Sequence, residues 1–221
     1  MLYHWINRQN NNKLIVFFSG WSFDFYPFEF LDCQNSDVLF VYDYNSISDL
    51  QITMENYSEK ILITWSMGVF AGYILRDSFV DFDKKIAING TPCPVSDNWG
   101  IPVKPFLLTL RHAKTGLEGK FYQNIFDKQE EFERYLKNPI LRSIENRESE
   151  LKSLYSRIKE EQFEYEKFYD FALISSNDKI IPTKNQINFW QNRASFKILE
   201  SGHFPFYNFK SWAEILEFSE K

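Results

Sequence analysis

The sequence predicts an α/β fold, in which a mostly parallel sheet is flanked by helices and carries an inserted helical lid. Three observations lead to this prediction. Six short runs are mainly apolar and do not alternate with polar residues, which is typical of strands that are buried on both faces. The segment after the third run, residues 67–77, places apolar residues at helical spacing. One long segment, 103–165, is rich in Glu, Lys, Arg and Leu and contains no strand-like run.

The six apolar runs are the predicted strands, and they cover residues 14–19, 38–44, 60–65, 84–89, 170–175 and 196–200. The first, LIVFFS, is rich in β-branched and aromatic residues and ends at Gly20, and the fourth ends at a Gly-Thr-Pro turn. Both features indicate a strand followed by a turn. A helix is expected over 67–77, where apolar residues recur on one helical face, and residues 182–191 and 209–218 can also form helices.

The chain length of 221 residues is suited to one domain with an insertion. We expect residues 1–102 and 166–221 to form the α/β core, and residues 103–165 to form the helical lid. An insertion after the fourth predicted strand lies at the carboxyl ends of the strands, where open α/β sheets keep their sites.

Composition excludes several classes of protein. The formal charge is −5, with no basic stripe to suggest nucleic-acid binding, and no apolar run approaches the length of a membrane span. Cys33 and Cys93 stand apart from each other, so two reduced thiols are expected. The nucleotide-binding patterns GxGxxG and GxxxxGK[ST] are missing, and we expect no metal or organic cofactor. We expect a cytoplasmic monomer with no leader peptide and no membrane partner.

Ser66 is the candidate nucleophile. It lies in Thr64-Trp65-Ser66-Met67-Gly68, between a predicted strand and a predicted helix. That is the setting of a nucleophile elbow, whose usual pattern is G-x-S-x-G. Thr64 replaces the first glycine, so the motif is incomplete, and a helix-capping role for Ser66 remains open.

His203 and Asp178 are the candidate base and acid. A serine needs an adjacent base, and of the three histidines only His203 directly follows a predicted strand. Asp178 follows the fifth predicted strand and precedes His203, which is the order Ser, Asp, His. The alternatives are that His203 is a surface residue and that Asp178 caps a helix.

The loop after the first strand and the start of the first helix are expected to bind an oxyanion. The predicted donors are the backbone amides of Trp21 and Met67. Gly20 permits the turn beside them, while Trp21 has core packing as its alternative role. Asn89 and Thr91 follow the fourth strand at the same sheet edge, so they are candidates for the pocket wall or for an ordinary turn.

These residues together resemble the α/β-hydrolase superfamily, and more narrowly the BioG-type pimeloyl-[acyl-carrier protein] methyl ester esterases. The similar stretches are FFSGW at 17–21, VYDY at 41–44, TWSMGV at 64–69, INGT at 88–91, GIP at 100–102, SSNDKIIP at 175–182, Gly202-His203 and Trp212. The resemblance covers nearly the whole chain and is weakest in the lid. It implies an α/β-hydrolase fold, with Ser66 as nucleophile, Asp178 as acid and His203 as base.

The resemblance also implies an acyl-carrier protein bearing a pimeloyl methyl ester as substrate, in biotin biosynthesis. Residues 103–165 contain 12 Lys and Arg against 11 Asp and Glu, so the lid is less negative than the rest of the chain. Carrier proteins are acidic, and Arg142, Arg147 and Arg157 are the candidates for pairing with one. The other reading of such charges is a solvated helix face.

The predicted reaction is ester hydrolysis through an acyl-enzyme. Two alternatives remain open at this stage. One is a general small-ester carboxylesterase or an acyltransferase on the same scaffold, since an aromatic-rich pocket suits many acyl chains. The other is a hydrolase-like protein that binds a ligand without chemistry.

Overall fold

The computed structural model describes residues 1–115, 120–161 and 164–220. Its centre is one seven-stranded sheet, formed by β1 (Leu2–Asn7), β2 (Lys13–Phe18), β3 (Ser36–Tyr42), β4 (Glu59–Trp65), β5 (Lys84–Ile88), β6 (Phe171–Ser175) and β7 (Ser195–Leu199). The strand order is β1-β3-β2-β4-β5-β6-β7, and β1 runs antiparallel to β3 while the other pairs are parallel. The predicted α/β fold with a mostly parallel sheet is confirmed.

The central strands are buried because helices cover both faces of the sheet. Every residue of β2 from Leu14 to Phe18 has no exposed surface. Such strands have no polar face, which explains their continuous apolar runs. The helices are α1 (Met67–Ile74), α2 (Val103–His112), α3 (Tyr122–Ile125), α4 (Gln129–Lys137), α5 (Ile144–Glu160), α6 (Thr183–Trp190) and α7 (Trp212–Glu220).

The two edge strands differ from the sequence-based expectation. β1 was not predicted, because an edge strand needs no continuous apolar run and Leu2 and Tyr3 are about half exposed. The sixth predicted run, which forms β7, is not covered on both faces, since Ile198 is 50% exposed. Edge position therefore weakens the hydrophobic pattern on which strand prediction depends.

Helix ends also differ from the predictions by a few residues. α1 ends at Ile74, before a 3₁₀ turn over Arg76–Phe79. α7 begins at Trp212 rather than at residue 209, because the Ser211 hydroxyl accepts a hydrogen bond from the Glu214 N–H at 3.2 Å. No helix in the described part of the chain is long and apolar enough to cross a bilayer. Cys33 and Cys93 are both free thiols.

Register brings the candidate site residues to one edge of the sheet. Phe18 at the end of β2 is paired with both Val41 of β3 and Thr64 of β4. Ile88 at the end of β5 is paired with Trp65 of β4 and Leu173 of β6. The loops after β2, β4, β5, β6 and β7 therefore start side by side, at the carboxyl ends where α/β sheets hold their sites.

The predicted lid, residues 103–165, contains α2 to α5, and its residues 116–119 and 162–163 lie outside the described part of the chain. α2 and α5 contact each other. Phe106 of α2 and Leu151 of α5 both line the cavity above the carboxyl edge. The insertion thus packs over the sheet edge that carries Ser66.

Candidate active site

Ser66 lies on a strained turn between β4 and α1. Its backbone has φ 56° and ψ −123°, a conformation that costs an L-residue on the order of 1–3 kcal/mol and persists only where the surroundings enforce it. A Cβ at Gly68 would lie against the carbonyl oxygens of Phe18 and Ser19. A Cβ at Gly90 would be 2.6 Å from the Ser66 carbonyl oxygen. The Ser66 side chain makes no capping hydrogen bond to α1, so its hydroxyl is available to His203.

Thr64 occupies the position where the elbow motif has its first glycine. Its hydroxyl donates a hydrogen bond to the Ile86 carbonyl at 3.2 Å and lies 3.2 Å from the Tyr169 hydroxyl. The Tyr169 hydroxyl in turn donates to the Val69 carbonyl at 2.7 Å. Room for the threonine methyl group comes from Gly72, where a Cβ would approach it to 2.9 Å. The departure from the motif is therefore accommodated by two residues that the sequence did not single out.

His203 bridges Ser66 and Asp178. Its Nε2 lies 2.8 Å from the Ser66 Oγ, and its Nδ1 lies 2.8 Å from the Asp178 Oδ2. The side chains of His203 and Asp178 are 3% and 0% exposed. Because water is excluded, the aspartate fixes the orientation of the imidazole and selects the tautomer that leaves Nε2 free to accept a proton.

Backbone and amide groups hold Asp178 in place. Its Oδ1 accepts the N–H groups of Ile180 and Ile181, at 2.8 and 2.9 Å, and its Oδ2 accepts from Gln186 Nε2 at 2.9 Å. The residue that precedes α6 is Pro182, so Asp178 does not cap that helix. Sequence reasoning missed Gln186, because a glutamine within a helix gives no signal of a buried partner.

Asn89 and Thr91, two candidates for the pocket wall, lie beneath the site instead. The Asn89 Nδ2 donates to the Ser175 Oγ at 2.7 Å and to the His203 carbonyl at 3.0 Å. The Thr91 hydroxyl shares its hydrogen between the backbone carbonyls of Cys93, at 3.0 Å, and Trp99, at 2.9 Å. Both residues are buried and neither lines the cavity, so the structure favours the alternative role in a turn over a role in the pocket wall. Asn89 instead ties β5 and β6 to the His203 loop.

Gly20, Trp21 and Met67 all line the cavity next to Ser66. Met67 is the first residue of α1, so its N–H has no partner within the helix. Among the described residues, no carbonyl or side chain accepts a hydrogen bond from the backbone N–H of Trp21 or Met67. An oxyanion hole requires backbone amides that have no other acceptor, and these two belong to residues that line the same cavity as Ser66.

The cavity above Ser66 has a volume of about 180 Å³ and largely apolar walls. Its lining includes Trp21, Phe23, Phe106, Phe121, Ile125 and Leu151. The last four belong to the inserted segment, so the pocket closes only because the insertion lies over the sheet. In the described chain, no group of three or more His, Cys, Asp and Glu side chains is placed to hold a metal ion.

Arg142 and Arg147 do not face solvent, which corrects the expectation that they contact a carrier protein. The Arg142 side chain is 6% exposed and pairs with Glu150 at 2.8 Å and Asp43 at 3.6 Å. Arg147 is buried and donates to the Tyr122 hydroxyl at 2.7 Å. Arg157 does lie at the surface, where it pairs with Glu161 at 2.6 Å.

Glu150 is the centre of a buried network that sequence reasoning missed. Its carboxylate accepts the N–H groups of Ser22, at 3.1 Å, and Tyr44, at 2.8 Å, and it pairs with Arg142. Burial raises the pKa of the Glu150 carboxyl, while Arg142 and the two amides act in the opposite direction. The sequence shows only a helix with mixed charges, because the two amide donors, Ser22 and Tyr44, lie more than 100 residues away in the chain.

The fold and its sheet-edge serine place the chain among the α/β hydrolases. A carboxylesterase from Nitrososphaera gargenis superimposes with a TM-score of 0.65 at 13% identity, covering 98% of this chain and 92% of that one. An esterase from Exiguobacterium antarcticum superimposes with a TM-score of 0.59 at 16% identity, covering 95% of this chain and 90% of that one. At these identities the similarity establishes the fold alone.

The model of the family described as "Pimeloyl-ACP methyl esterase BioG" matches residues 1–215, so the chain belongs to the BioG family. The crystal structure of BioG from Haemophilus influenzae is 28% identical, with a TM-score of 0.87, and the match covers 97% of this chain and 99% of that one.

Two curated proteins are also similar in sequence. An uncharacterized protein of H. influenzae is 30% identical over 203 residues, which are 91% of this chain and 93% of that protein. A malonyl-[acyl-carrier protein] O-methyltransferase of Bacteroides fragilis is 33% identical over 183 residues, or 81% of this chain. The match spans only 36% of that methyltransferase's length.

Proposed function

We propose that this protein hydrolyses the methyl ester of a pimeloyl-[acyl-carrier protein] to the free carboxylate and methanol. Ser66 is the nucleophile, His203 the general base and Asp178 the acid that orients it. The observation that carries the proposal is the hydrogen-bonded chain from Ser66 through His203 to Asp178, with 2.8 Å at each step, below an apolar cavity. Membership of the BioG family supports the choice of substrate.

Acylation is the first half of the proposed reaction. The Ser66 Oγ attacks the ester carbonyl carbon while its proton moves to the His203 Nε2, and Asp178 stabilises the resulting imidazolium. The carbonyl oxygen becomes an oxyanion, to which the amides of Trp21 and Met67 donate. His203 then gives the proton to the leaving methoxy oxygen, so methanol departs and the acyl group remains on Ser66.

Deacylation repeats these steps with water. His203 takes a proton from a water molecule, whose oxygen attacks the acyl carbon, and the Ser66 Oγ leaves with the proton that His203 returns. The products are the pimeloyl carboxylate, still linked to the carrier, and the free enzyme. This mechanism needs no metal or organic cofactor.

The apolar walls and the similarity to a methyltransferase both support a carrier-linked methyl ester. An aliphatic chain removes apolar surface from water when it enters this cavity, whereas a free carboxylate does not. The B. fragilis relative is named for a methyl transfer to an acyl-carrier-bound carboxylate. A segment similar to this chain therefore belongs to a protein that is named for making such a methyl ester. The cytoplasmic location and the monomeric state remain predictions.

The test is turnover of pimeloyl-[acyl-carrier protein] methyl ester by wild type and by Ser66→Ala. We expect Ser66→Ala to lower kcat by a factor on the order of 10⁴ to 10⁶, because the acyl-enzyme cannot form. Ser176→Ala, which removes an exposed hydroxyl at the same sheet edge, is the matched control and should keep wild-type kcat.

Three outcomes would contradict the proposal. If Ser66→Ala retains most of its activity, the nucleophile is another group. If wild type hydrolyses short esters with a higher kcat/KM than the carrier-linked methyl ester, the protein is a general carboxylesterase. A fluorophosphonate probe that fails to label Ser66 would instead favour a binding protein without chemistry.

A further inference from the structure

Trp65 is the last residue of β4 and immediately precedes the proposed nucleophile. Its side chain is 1% exposed, and it forms part of the cavity wall beside Ser66. The indole Nε1–H donates a hydrogen bond to the main-chain carbonyl of His203 at 2.8 Å. The residue next to the serine is therefore bonded to the backbone of the histidine, although the two lie 138 positions apart in the chain.

Two buried side chains converge on the His203 carbonyl. Besides the Trp65 indole, the Asn89 Nδ2 donates to this oxygen, at 3.0 Å. Both donors come from the carboxyl ends of central strands, because β4 ends at Trp65 and Asn89 directly follows β5. A carbonyl oxygen has two lone pairs, so it can accept both hydrogen bonds at once. The backbone of the proposed base is thus held from two neighbouring strands.

His203 itself lies in an irregular segment, between the end of β7 at Leu199 and the 3₁₀ turn over Pro205–Asn208. Neither a helix nor a strand fixes its backbone, so the position of the imidazole depends on contacts such as these. The ring must keep its Nε2 2.8 Å from the Ser66 Oγ and its Nδ1 2.8 Å from the Asp178 Oδ2. A displaced backbone would move both nitrogens away from their partners.

Packing fixes the direction in which the Trp65 N–H points. The Phe204 ring meets the indole edge-to-face, at 88° and a centroid distance of 5.5 Å. The Phe23 ring meets it at 82° and 4.9 Å. A Cβ at Gly20 would lie only 2.9 Å from the indole carbons, so the ring fits because this position has no side chain. The surrounding rings and the Gly20 backbone therefore hold the N–H toward His203.

We infer that Trp65 is a positioning residue for the general base, and that its indole N–H acts through the His203 carbonyl and not on the substrate. The strand that delivers Ser66 to the site thereby also sets the distance from Ser66 to the base. Proton transfer from the serine depends on the alignment of this hydrogen bond, and misplacement of a reacting group lowers the rate steeply. This inference rests on the proposed function.

The test removes the indole N–H and keeps the shape of the side chain. Benzothienylalanine has the two fused rings of tryptophan, with a sulfur in place of the N–H, so Trp65→benzothienylalanine in the full chain deletes the donor alone. Trp65→Phe is a second variant that also lacks the N–H. Steady-state kinetics with pimeloyl-[acyl-carrier protein] methyl ester give kcat and KM. The rate at which a fluorophosphonate labels Ser66 is measured as well, because this reaction also needs a base but no ester substrate.

Trp212 provides the matched control. Its side chain is buried, and its indole Nε1–H has no hydrogen-bond partner in the part of the chain that the structure describes. It begins α7, packs against Phe17 at a centroid distance of 4.9 Å, and does not line the cavity. Trp212→benzothienylalanine thus makes the same chemical change without breaking a hydrogen bond, and it should leave kcat, KM and the labelling rate unchanged.

We expect Trp65→benzothienylalanine to lower kcat about 10- to 100-fold, with KM within about twofold of wild type, at a temperature where all variants are folded. KM should change little because the ring that faces the cavity is retained. Labelling of Ser66 should slow by a similar factor, since His203 must take the serine proton in both reactions. Trp65→Phe should show the same decrease in the labelling rate.

Several results would overturn the inference. If the folded Trp65 variants keep the wild-type kcat and labelling rate and lose only stability, the indole N–H is structural. If KM rises while kcat stays constant, Trp65 acts on the substrate. An equal decrease in kcat in the Trp212 variant would show that the effect does not come from the bond to His203.

Failure of the proposed function would give a different pattern. Wild type that is labelled at Ser66 but does not hydrolyse the carrier-linked ester would reject the proposed substrate, while the labelling rates of the variants would still decide the role of Trp65. Wild type that a fluorophosphonate does not label would reject both the nucleophile and the inference about its base.

Discussion

Helices α2 and α5 belong to the same insertion, and both carry basic side chains. Those at the start of α5 are buried, whereas those on α2 are exposed to solvent. On α5, Arg147 and Glu150 are buried, and Arg142 just before this helix is 6% exposed. On α2, Phe106 is the one buried residue between Val103 and His112, and Lys104 and Arg111 are exposed. Charge in a sequence therefore says little about partners until the environment of each side chain is known.

Removal of a buried charge should have the largest effect. Arg142→Ala leaves the carboxylates of Glu150 and Asp43 without their cation, which costs about 3–5 kcal/mol when a buried pair is broken. Lys104→Ala on α2 should change the free energy of unfolding by less than about 0.5 kcal/mol. Urea unfolding at pH 7 measures both. An equal decrease in the free energy of unfolding in the two variants would contradict the prediction that the buried charge is structural and the exposed charge is not.

The leucines of the two helices give a second contrast. Leu151 of α5 is 1% exposed, so Leu151→Ala opens a cavity and should cost about 2–4 kcal/mol. Leu107 of α2 is 39% exposed, and Leu107→Ala should cost less than about 1 kcal/mol. The comparison uses urea unfolding midpoints and slopes. A costly Leu107→Ala would show that the outer face of α2 is packed in the free protein.

The pH dependence of stability tests the buried charge network beside α5, to which Asp43 belongs. Burial acts to raise the pKa of Asp43, but hydrogen bonds from Asn146 and Asn45 and the charge of Arg142 outweigh it, so the pKa is lowered. A lowered carboxyl pKa contributes stability above the unfolded value near 3.8, and this contribution is lost as pH falls through the folded value. The difference in free energy of unfolding between wild type and Asp43→Asn, measured by urea unfolding at a series of pH values, should therefore decrease below about pH 4. An advantage that stays constant from pH 7 to pH 3 would contradict this.

A small effect is also expected for an arginine within α5 itself. Arg157 is 45% exposed and pairs with Glu160 and Glu161 on its own helix and at the helix end. Such exposed pairs contribute about 0.2–1 kcal/mol, so Arg157→Ala should lower the free energy of unfolding by less than about 1 kcal/mol. Differential scanning calorimetry of wild type, Arg157→Ala and Arg142→Ala compares the unfolding temperatures of the three proteins. If Arg157→Ala lowered the free energy of unfolding as much as Arg142→Ala, burial would not explain how much each arginine contributes to stability.

The sequence was informative wherever a structural element requires a local pattern of residues. Buried strands must be apolar on both faces, so β2, β4 and β5 were visible as runs, and the turn at Ser66 was visible as a strand followed by a helix. His203 and Asp178 were found because parallel strands deliver their following loops to one edge. The edge strand β1 was missed because one solvated face removes that pattern.

Only the tertiary structure decided how distant residues meet. Glu150 and Ser22 are 128 positions apart, and Arg142 becomes structural solely because α5 lies on the loops after β2 and β3. Asn89 lies at the expected sheet edge but points under it toward Ser175 and His203. The sequence by itself determined the fold and nominated Ser66, Asp178 and His203, since backbone periodicity and turn geometry are local. Burial and pairing of side chains depend on contacts far apart in the chain, so they were decided by the packed structure.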